Sequence, residues 1–351
     1  MRVIRVPHRH PWAPIALVRG SFGRWPYTLT RYRNAEFDRT LRQVVLEGKP
    51  AFAFVNHLHL ATYRDALGGV PIVLREHNLE HLWLARYAEC LTNPFARAYA
   101  VDQARRMRKT EGEICSQCDL VLAIHEAEAD VLRRLAPTGR IEVVPVGIDF
   151  GAYLSRAPAQ PPSVLVVGSW DWPPNADGLL HFLERGWGRV SARYPDVALR
   201  VVGKHLHNRL AVAARRAGAE PVGYVDSMAL EFARAAVMVV PVWVGAGARV
   251  KIVEALAARV PVVTTTLGAE GLGLEPEVHA LVADTPESLG DAVAELLNQP
   301  ERATALASAG YDFARSRYSL DQVACRTNEL CATVLHRGTA APPSSLARGG
   351  V

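Results

Sequence analysis

The chain has 351 residues, about half of them apolar and about a fifth charged, with a formal net charge of +5. That length gives room for two domains with cores of their own, and the composition excludes disordered and fibrous classes. No apolar run is long enough to span a bilayer, and the opening MRVIRVPHRHPWAP lacks the uninterrupted apolar stretch of a secretory signal.

Residues 1–34 carry prolines at 7, 11, 14 and 26 and show no helical period, so no regular element is expected there. Strand-like runs then follow at AFAFVN (51–56), PIVL (71–74), DLVLAI (119–124) and IEVVPV (141–146). A second series comprises SVLVVG (163–168), VALRVVG (197–203), AEPVGYV (219–225), AVMVVPV (236–242), VPVVTT (260–265) and HALVAD (279–284). These runs are continuously apolar, as parallel strands covered on both faces must be, and helical stretches separate them. An α/β architecture with parallel sheets is predicted. RAPAQPPS (156–163) reads as a linker, and GTAAPPSSLARGGV at the end as a disordered tail. The expected division is 1–155, then 163–318, with a C-terminal helix over 319–336 that packs back on the first domain and a tail over 338–351.

Within the first half, Asn56, His57 and His59 follow one strand and His77, Asn78 and Glu80 the next. Strand carboxyl ends are where α/β sheets bind ligands. A histidine at a strand end can equally be structural, and Asn78 is also a good N-cap for a following helix. The segment FARAYAVDQARRMRKTEGEI (95–114) predicts a helix with Ala100, Ala104, Met107 and Ile114 on one face and four basic residues between 105 and 109. It is either an ordinary surface helix or a face that touches anionic lipid. The five cysteines are odd in number and unevenly spread, which argues for a reducing compartment. Cys115 and Cys118 form a lone CxxC without the second pair that zinc would need, so they are assigned to an apolar helix end.

The stretch VGAGARVKIVEALAARVPVVTTTLG (244–268) carries the chemistry. In a doubly wound sheet with the usual order, the first and fourth strands flank the crevice, and the loops leaving them here begin at Gly168 and Trp243. Gly245 and Gly247 allow a close turn into the helix, whose free N–H groups and dipole favour phosphate. Arg249 and Lys251 add two positive charges, expected to hold a diphosphate from two sides because residues two apart do not share a helix face. Glu254 repels phosphate but suits neutral hydroxyls such as a ribose diol. Together these point to a nucleotide.

GAGARVKIVEALAARVPVVTT, with GAEGL at 268–272, resembles the donor-site signature of glycosyltransferase family 4, the retaining group 1 enzymes of GT-B fold. VVGSWDWPPNADGLLHFL, VALRVVG, PVGYVDSM, RYSLDQVA, REHNLEHLWLARYAE, CDLVLAIHEAEADVL and VVPVGIDF extend the similarity over residues 30 to 335. The resemblance implies two Rossmann-like domains with parallel sheets facing across a cleft. It implies transfer from a nucleoside diphosphate sugar to a glycan or lipid-linked acceptor, in exopolysaccharide or cell-envelope glycan synthesis. Glu254 would bind the ribose, and Lys251 and Arg249 the diphosphate. Gly168, Gly223, Tyr224 and Val225, together with Gly245, Ala246 and Gly247, would border the nucleotide, and Gly268, Ala269 and Glu270 the donor cleft. A histidine near the reacting carbon would be His57 or His59, and His77, Asn78 and Glu80 would face the acceptor.

Two positions depart from that pattern. Ala246 stands where many members have a second glutamate, and SWDWPPNADG has neither the Arg nor the Lys often found after the first donor-domain strand. Relative to the family the chain also starts late, with one β–α unit and its glycine-rich loop absent. No D-x-D triplet occurs, so metal-independent transfer is expected, with no cofactor beyond the nucleotide sugar as co-substrate. Nucleic acid is not an expected partner. The expected location is the cytoplasm, with peripheral contact at the inner membrane left open by the basic helix. Two rivals remain: a sugar-nucleotide epimerase of the same fold and a binding-only relative. A nicotinamide oxidoreductase is disfavoured, since no G-x-G-x-x-G follows an early strand.

Overall fold

The computed structural model describes residues 3–5, 13–153, 161–245 and 249–338, with backbone alone at 13–16 and 336–338. The linker stretch 154–160, Ala246, Gly247 and the tail from 339 therefore lie outside the described residues. The chain divides into two units, one of residues 1–85, 93–144 and 325–351, the other of 86–92 and 145–324.

The first unit holds four parallel strands: β1 (Ala53–Asn56), β2 (Ile72–Arg75), β3 (Leu120–Ala123) and β4 (Ile141–Val143), side by side in that order. All four residues of β3 are buried, which is why its sequence is apolar throughout. The helix Pro94–Ser116 covers the sheet with Ala100, Ala104, Met107 and Ile114, the face that the periodicity predicts. Asn93 opens it by accepting from the Phe95 and Ala96 N–H groups, and Pro94 occupies the first turn, where a missing N–H costs nothing. Cys115 and Cys118 are buried free thiols in this core. Through Cys325 and beyond, the last helix (Leu320–Gly338) belongs to this unit, where Arg140 donates to Thr333 Oγ1 at 2.6 Å.

The N-terminal expectation needs correction. Residues Ala13–Phe22 and Tyr27–Tyr32 are helical, followed by the helix Ala35–Gly48. Pro14 falls in a first turn and Pro26 is an N-cap, so both prolines open helices instead of interrupting them. Tertiary bonds hold this segment where periodicity does not. Gln103 accepts from the Tyr27 N–H and donates to Gly20 O, and Arg106 donates to the carbonyls of Ser21 and Gly23.

The second unit is a six-stranded parallel sheet of β5 (Ser163–Val167), β6 (Ala198–Val202), β7 (Glu220–Gly223), β8 (Ala235–Val240), β9 (Val262–Thr264) and β10 (Leu281–Val282). Their spatial order is β10-β9-β8-β5-β6-β7. Alternate residues feed two cores. Val164, Val166, Val237 and Val239 pack with Phe182, Trp187 and Leu289, while Leu165, Met238 and Val240 pack with Phe232, Ile252 and Leu256. Two buried faces explain the unbroken apolar runs. Chain order reverses between β5 and β8, which are direct neighbours. Gly178, in the helix Pro173–His181, brings the loop after β5 close to β8: an added Cβ there would lie 2.0 Å from the Pro241 carbonyl oxygen.

Candidate functional site

At the reversal point, a cavity of about 340 Å³ opens between the loops that leave β5 and β8. Gly168, Ser169, Trp172 and Asn175 line it from one side, and Gly245, Arg249 and Lys251 from the other. Gly245 has φ +134°, and a Cβ built there would lie 3.3 Å from the Arg249 guanidinium. Glycine thus serves both the backbone turn and the arginine beside it.

Arg249 precedes the helix Val250–Ala257 as its N-cap, with φ −84° and ψ 65°, and is buried. Arg249 therefore lies outside the helical repeat, and both cations border one cavity. Lys251 Nζ donates to Val167 O at 2.9 Å and to Asn175 Oδ1 at 3.2 Å. Burial, and secondarily the charge of Arg249, lowers the Lys251 pKa to about 8. Asn175, in the first turn of the helix Pro173–His181, thus orients this cation in a segment that lacks one of its own.

Glu254 lies one turn beyond Lys251 and is half-buried. Burial raises its pKa, opposed by a hydrogen bond from Tyr153, whose hydroxyl donates to Oε1 at 3.3 Å. Sequence reasoning missed Tyr153. Its nearest signal is a position just beyond the matched VVPVGIDF block.

Of the other expected donor-side residues, Gly223, Tyr224, Val225, Gly268, Ala269 and Glu270 do not line this cavity. Gly168, Gly203 and Gly223 join three strand ends: Gly168 N donates to Val202 O at 3.1 Å and Gly203 N to Gly223 O at 2.7 Å. Tyr224 is exposed beyond them, with Lys204 Nζ 5.6 Å from its ring centroid, and Val225 packs toward the core. Gly268 and Ala269 belong to the short helix Thr266–Ala269 after β9, capped by Thr265, and Glu270 is exposed at its end. Thr265 Oγ1 also donates to Val242 O, tying the ends of β9 and β8 together.

In the first unit, the structure separates the two candidate histidines. His57 follows β1 with φ +72°, a strained backbone for a residue with a Cβ, and its ring stacks on His77 with centroids 3.9 Å apart. His59 turns instead against Tyr32, at 4.4 Å. Burial lowers the pKa of all three, to about 4 for His59 and His77. All three imidazoles are therefore neutral near pH 7. His77 Nε2 is buried with no hydrogen-bond partner among the described residues.

The helix Glu80–Glu89 takes its first-turn partner from elsewhere than Asn78: the Glu80 N–H donates to Glu111 Oε1 at 2.8 Å. Glu111 also pairs with His81, and both are buried. Burial, then the Glu111 carboxylate, raises the Glu80 pKa to about 7. Glu76 is fully buried beside this group and its pKa is raised well above the ordinary range by burial, then by Glu111. These buried carboxyls were not legible as such in the sequence. Among the described residues, no group of three or more His, Cys, Asp or Glu is placed to hold a metal ion, and no helix is long and apolar enough to cross a membrane.

Comparison with known proteins matches two family models: Glycosyltransferase Family 4 over residues 4–151, and Glycosyl transferases group 1 over residues 161–299. No curated protein matches the chain by sequence. Among solved structures, the fold is similar to the sucrose-phosphate synthase of Thermosynechococcus elongatus, with a TM-score of 0.70 at 18% identity over 86% of this chain and 78% of that one. HepE from Anabaena, in complex with UDP and glucose, gives 0.63 at 14% over 85% and 81%. An α,α-trehalose-phosphate synthase (UDP-forming) from Burkholderia vietnamiensis gives 0.62 at 14% over 93% and 80%. At such identities the likeness is one of fold, that of the two-domain GT-B proteins.

Proposed function

The chain belongs to the group 1 glycosyltransferases of Glycosyltransferase Family 4, and we propose that it transfers a sugar from a nucleoside diphosphate to an acceptor, with retention of anomeric configuration. In this reaction the bond between the anomeric carbon and the terminal phosphate oxygen breaks, a bond to the acceptor oxygen forms, and the acceptor's proton is lost. Negative charge builds on the departing diphosphate. Arg249, Lys251 and the positive end of the helix that follows receive it, with little reorganisation during the reaction. Glu254, one turn on, accepts hydrogen bonds from the ribose diol. The single observation that carries this reading is the grouping of two cations, a helix start and a half-buried carboxylate beside the β5–β8 reversal.

On the acceptor side, neutral His57 stacked on His77 offers a hydrogen-bonding group that attracts no water-borne anion. The acceptor is a glycan or a lipid-linked glycan in exopolysaccharide or cell-envelope synthesis, and the enzyme works in the cytoplasm without a metal ion. Lipid contact falls to the helix Pro94–Ser116, where Arg105, Arg108 and Lys109 are exposed while Arg106 is occupied by the Ser21 and Gly23 carbonyls. Phe22 and Phe95 stand 89% and 85% exposed on that unit. Exposed aromatics with basic neighbours suit an anionic interface.

The test is incubation with nucleotide sugars and a lipid-linked glycan extract, in excess chelator. Product formed only when acceptor is present supports transfer. Donor converted without acceptor into an intact isomeric nucleotide sugar would make the protein an isomerase. Loss of activity with chelator, restored by magnesium or manganese, would overturn the role of Arg249 and Lys251.

A further inference from the structure

Glu254 has to do two things if it is to bind a ribose diol: remain ionised while half-buried, and hold its lone pairs toward the sugar. Burial works against the first, and the rotational freedom of a glutamate works against the second. The structure supplies one side-chain donor to this carboxylate among the described residues, the Tyr153 hydroxyl on Oε1 at 3.3 Å.

Tyr153 is itself well fixed. It follows a 3-10 turn, Phe150–Ala152, that Asp149 caps by accepting from the Gly151 N–H at 2.9 Å. Its backbone is extended, with φ −98° and ψ 134°. Its ring tilts against Phe232, with centroids 6.0 Å apart, and Phe232 is fully buried. An aromatic ring packed against the core thus delivers one hydroxyl to one oxygen of the carboxylate. Among the described residues no other side chain donates to this carboxylate, which leaves Oε2 and the second lone pair of Oε1 for two vicinal hydroxyls.

We infer that Tyr153 is a positioning residue for ribose recognition, holding Glu254 so that the site prefers a ribonucleoside diphosphate over its 2′,3′-dideoxy counterpart. This rests on the nucleotide site proposed above. Tyr153 touches neither the reacting carbon nor the diphosphate; it acts through Glu254.

The experiment is calorimetric titration of the full chain, using UDP, GDP or ADP, whichever of the three raises the melting temperature of the wild type most, and the matching 2′,3′-dideoxynucleoside diphosphate. The variants are Tyr153→Phe, which keeps the ring against Phe232, and Glu254→Gln. The wild type is expected to prefer the ribose form. Tyr153→Phe should bind the ribose form about three- to tenfold more weakly, the size of one hydrogen bond to a charged group acting at second hand. Its affinity for the dideoxy form should be unchanged, and so should its melting temperature without ligand. Glu254→Gln should abolish the preference. If Glu254→Gln loses the preference and Tyr153→Phe keeps it, the role of Tyr153 is refuted while the site stands. Equal weakening for both nucleotides would mean that Tyr153 serves only packing, and would also refute it. A wild type that binds none of the three nucleotides, or does not distinguish ribose from dideoxyribose, would remove the site reading and this inference with it.

Discussion

Lys251→Met separates binding from stability. The substitution keeps an unbranched chain of similar length and removes the charge. Two opposing costs act on the unliganded protein. Losing the donor removes two partly buried hydrogen bonds, to Val167 O and Asn175 Oδ1, together worth about 1–3 kcal/mol at about 0.5–1.5 kcal/mol each. Against this, the wild type bears the burden of a buried ammonium, and the fall of its pKa from 10.5 to about 8 corresponds to about 3 kcal/mol that the variant does not carry. The two nearly cancel, so the variant should fold with a melting temperature close to the wild type. Diphosphate binding has no such compensation. Loss of a charge-assisted hydrogen bond of about 1.5–3 kcal/mol weakens nucleoside diphosphate by roughly 10- to 150-fold. Thermal unfolding without ligand and calorimetric titration at pH 7 measure both terms. Unchanged affinity in a well-folded variant would refute the placement of the diphosphate. A collapse of the melting temperature would refute the cancellation.

Titrating the wild type across pH 7 to 10 should show nucleoside diphosphate affinity falling above about pH 8, approaching about tenfold per unit, because the free protein loses the Lys251 proton that the anion requires. Stability of the unliganded chain has the opposite sign in that window: between about 8 and 10.5 the unfolded state holds the proton and the folded one does not, so the Lys251 contribution rises with pH. Both trends should vanish in Lys251→Met; an unaltered pH profile there would assign the titration to another group. His57→Gly should relieve the positive φ and raise stability by about 1 kcal/mol while lowering transfer. His59→Ala should instead lower the melting temperature through lost packing on Tyr32 and leave nucleotide affinity alone. The reverse pairing, read by unfolding and turnover, would exchange their roles.

What the sequence discloses follows from which forces are local. The inner strands among the described residues are visible because parallel strands buried on both faces must be apolar throughout, as Val164, Leu165 and Val166 show, whereas β1 and β7, at the sheet edges, are only partly buried. The crevice position follows from strand order, and Lys251 and Glu254 follow from helical spacing beyond it. Contacts that bring distant segments together leave no such pattern. Tyr153 meets Glu254 across 101 residues of chain, and the stacking of His57 on His77 depends on neighbouring strand ends. The N-terminal helices are held by Gln103 and Arg106, residues that read as surface members of another helix. Glu76 and Glu111 look like ordinary surface acids until the fold buries them.

A crystal structure of the chain soaked with the nucleoside diphosphate that stabilises it most tests the central claim directly. The account predicts the diphosphate in the cavity between the ends of β5 and β8, within hydrogen-bonding distance of Arg249 and Lys251, and the ribose hydroxyls on Glu254. Nucleotide density anywhere else, or a diphosphate that touches neither cation, would contradict it.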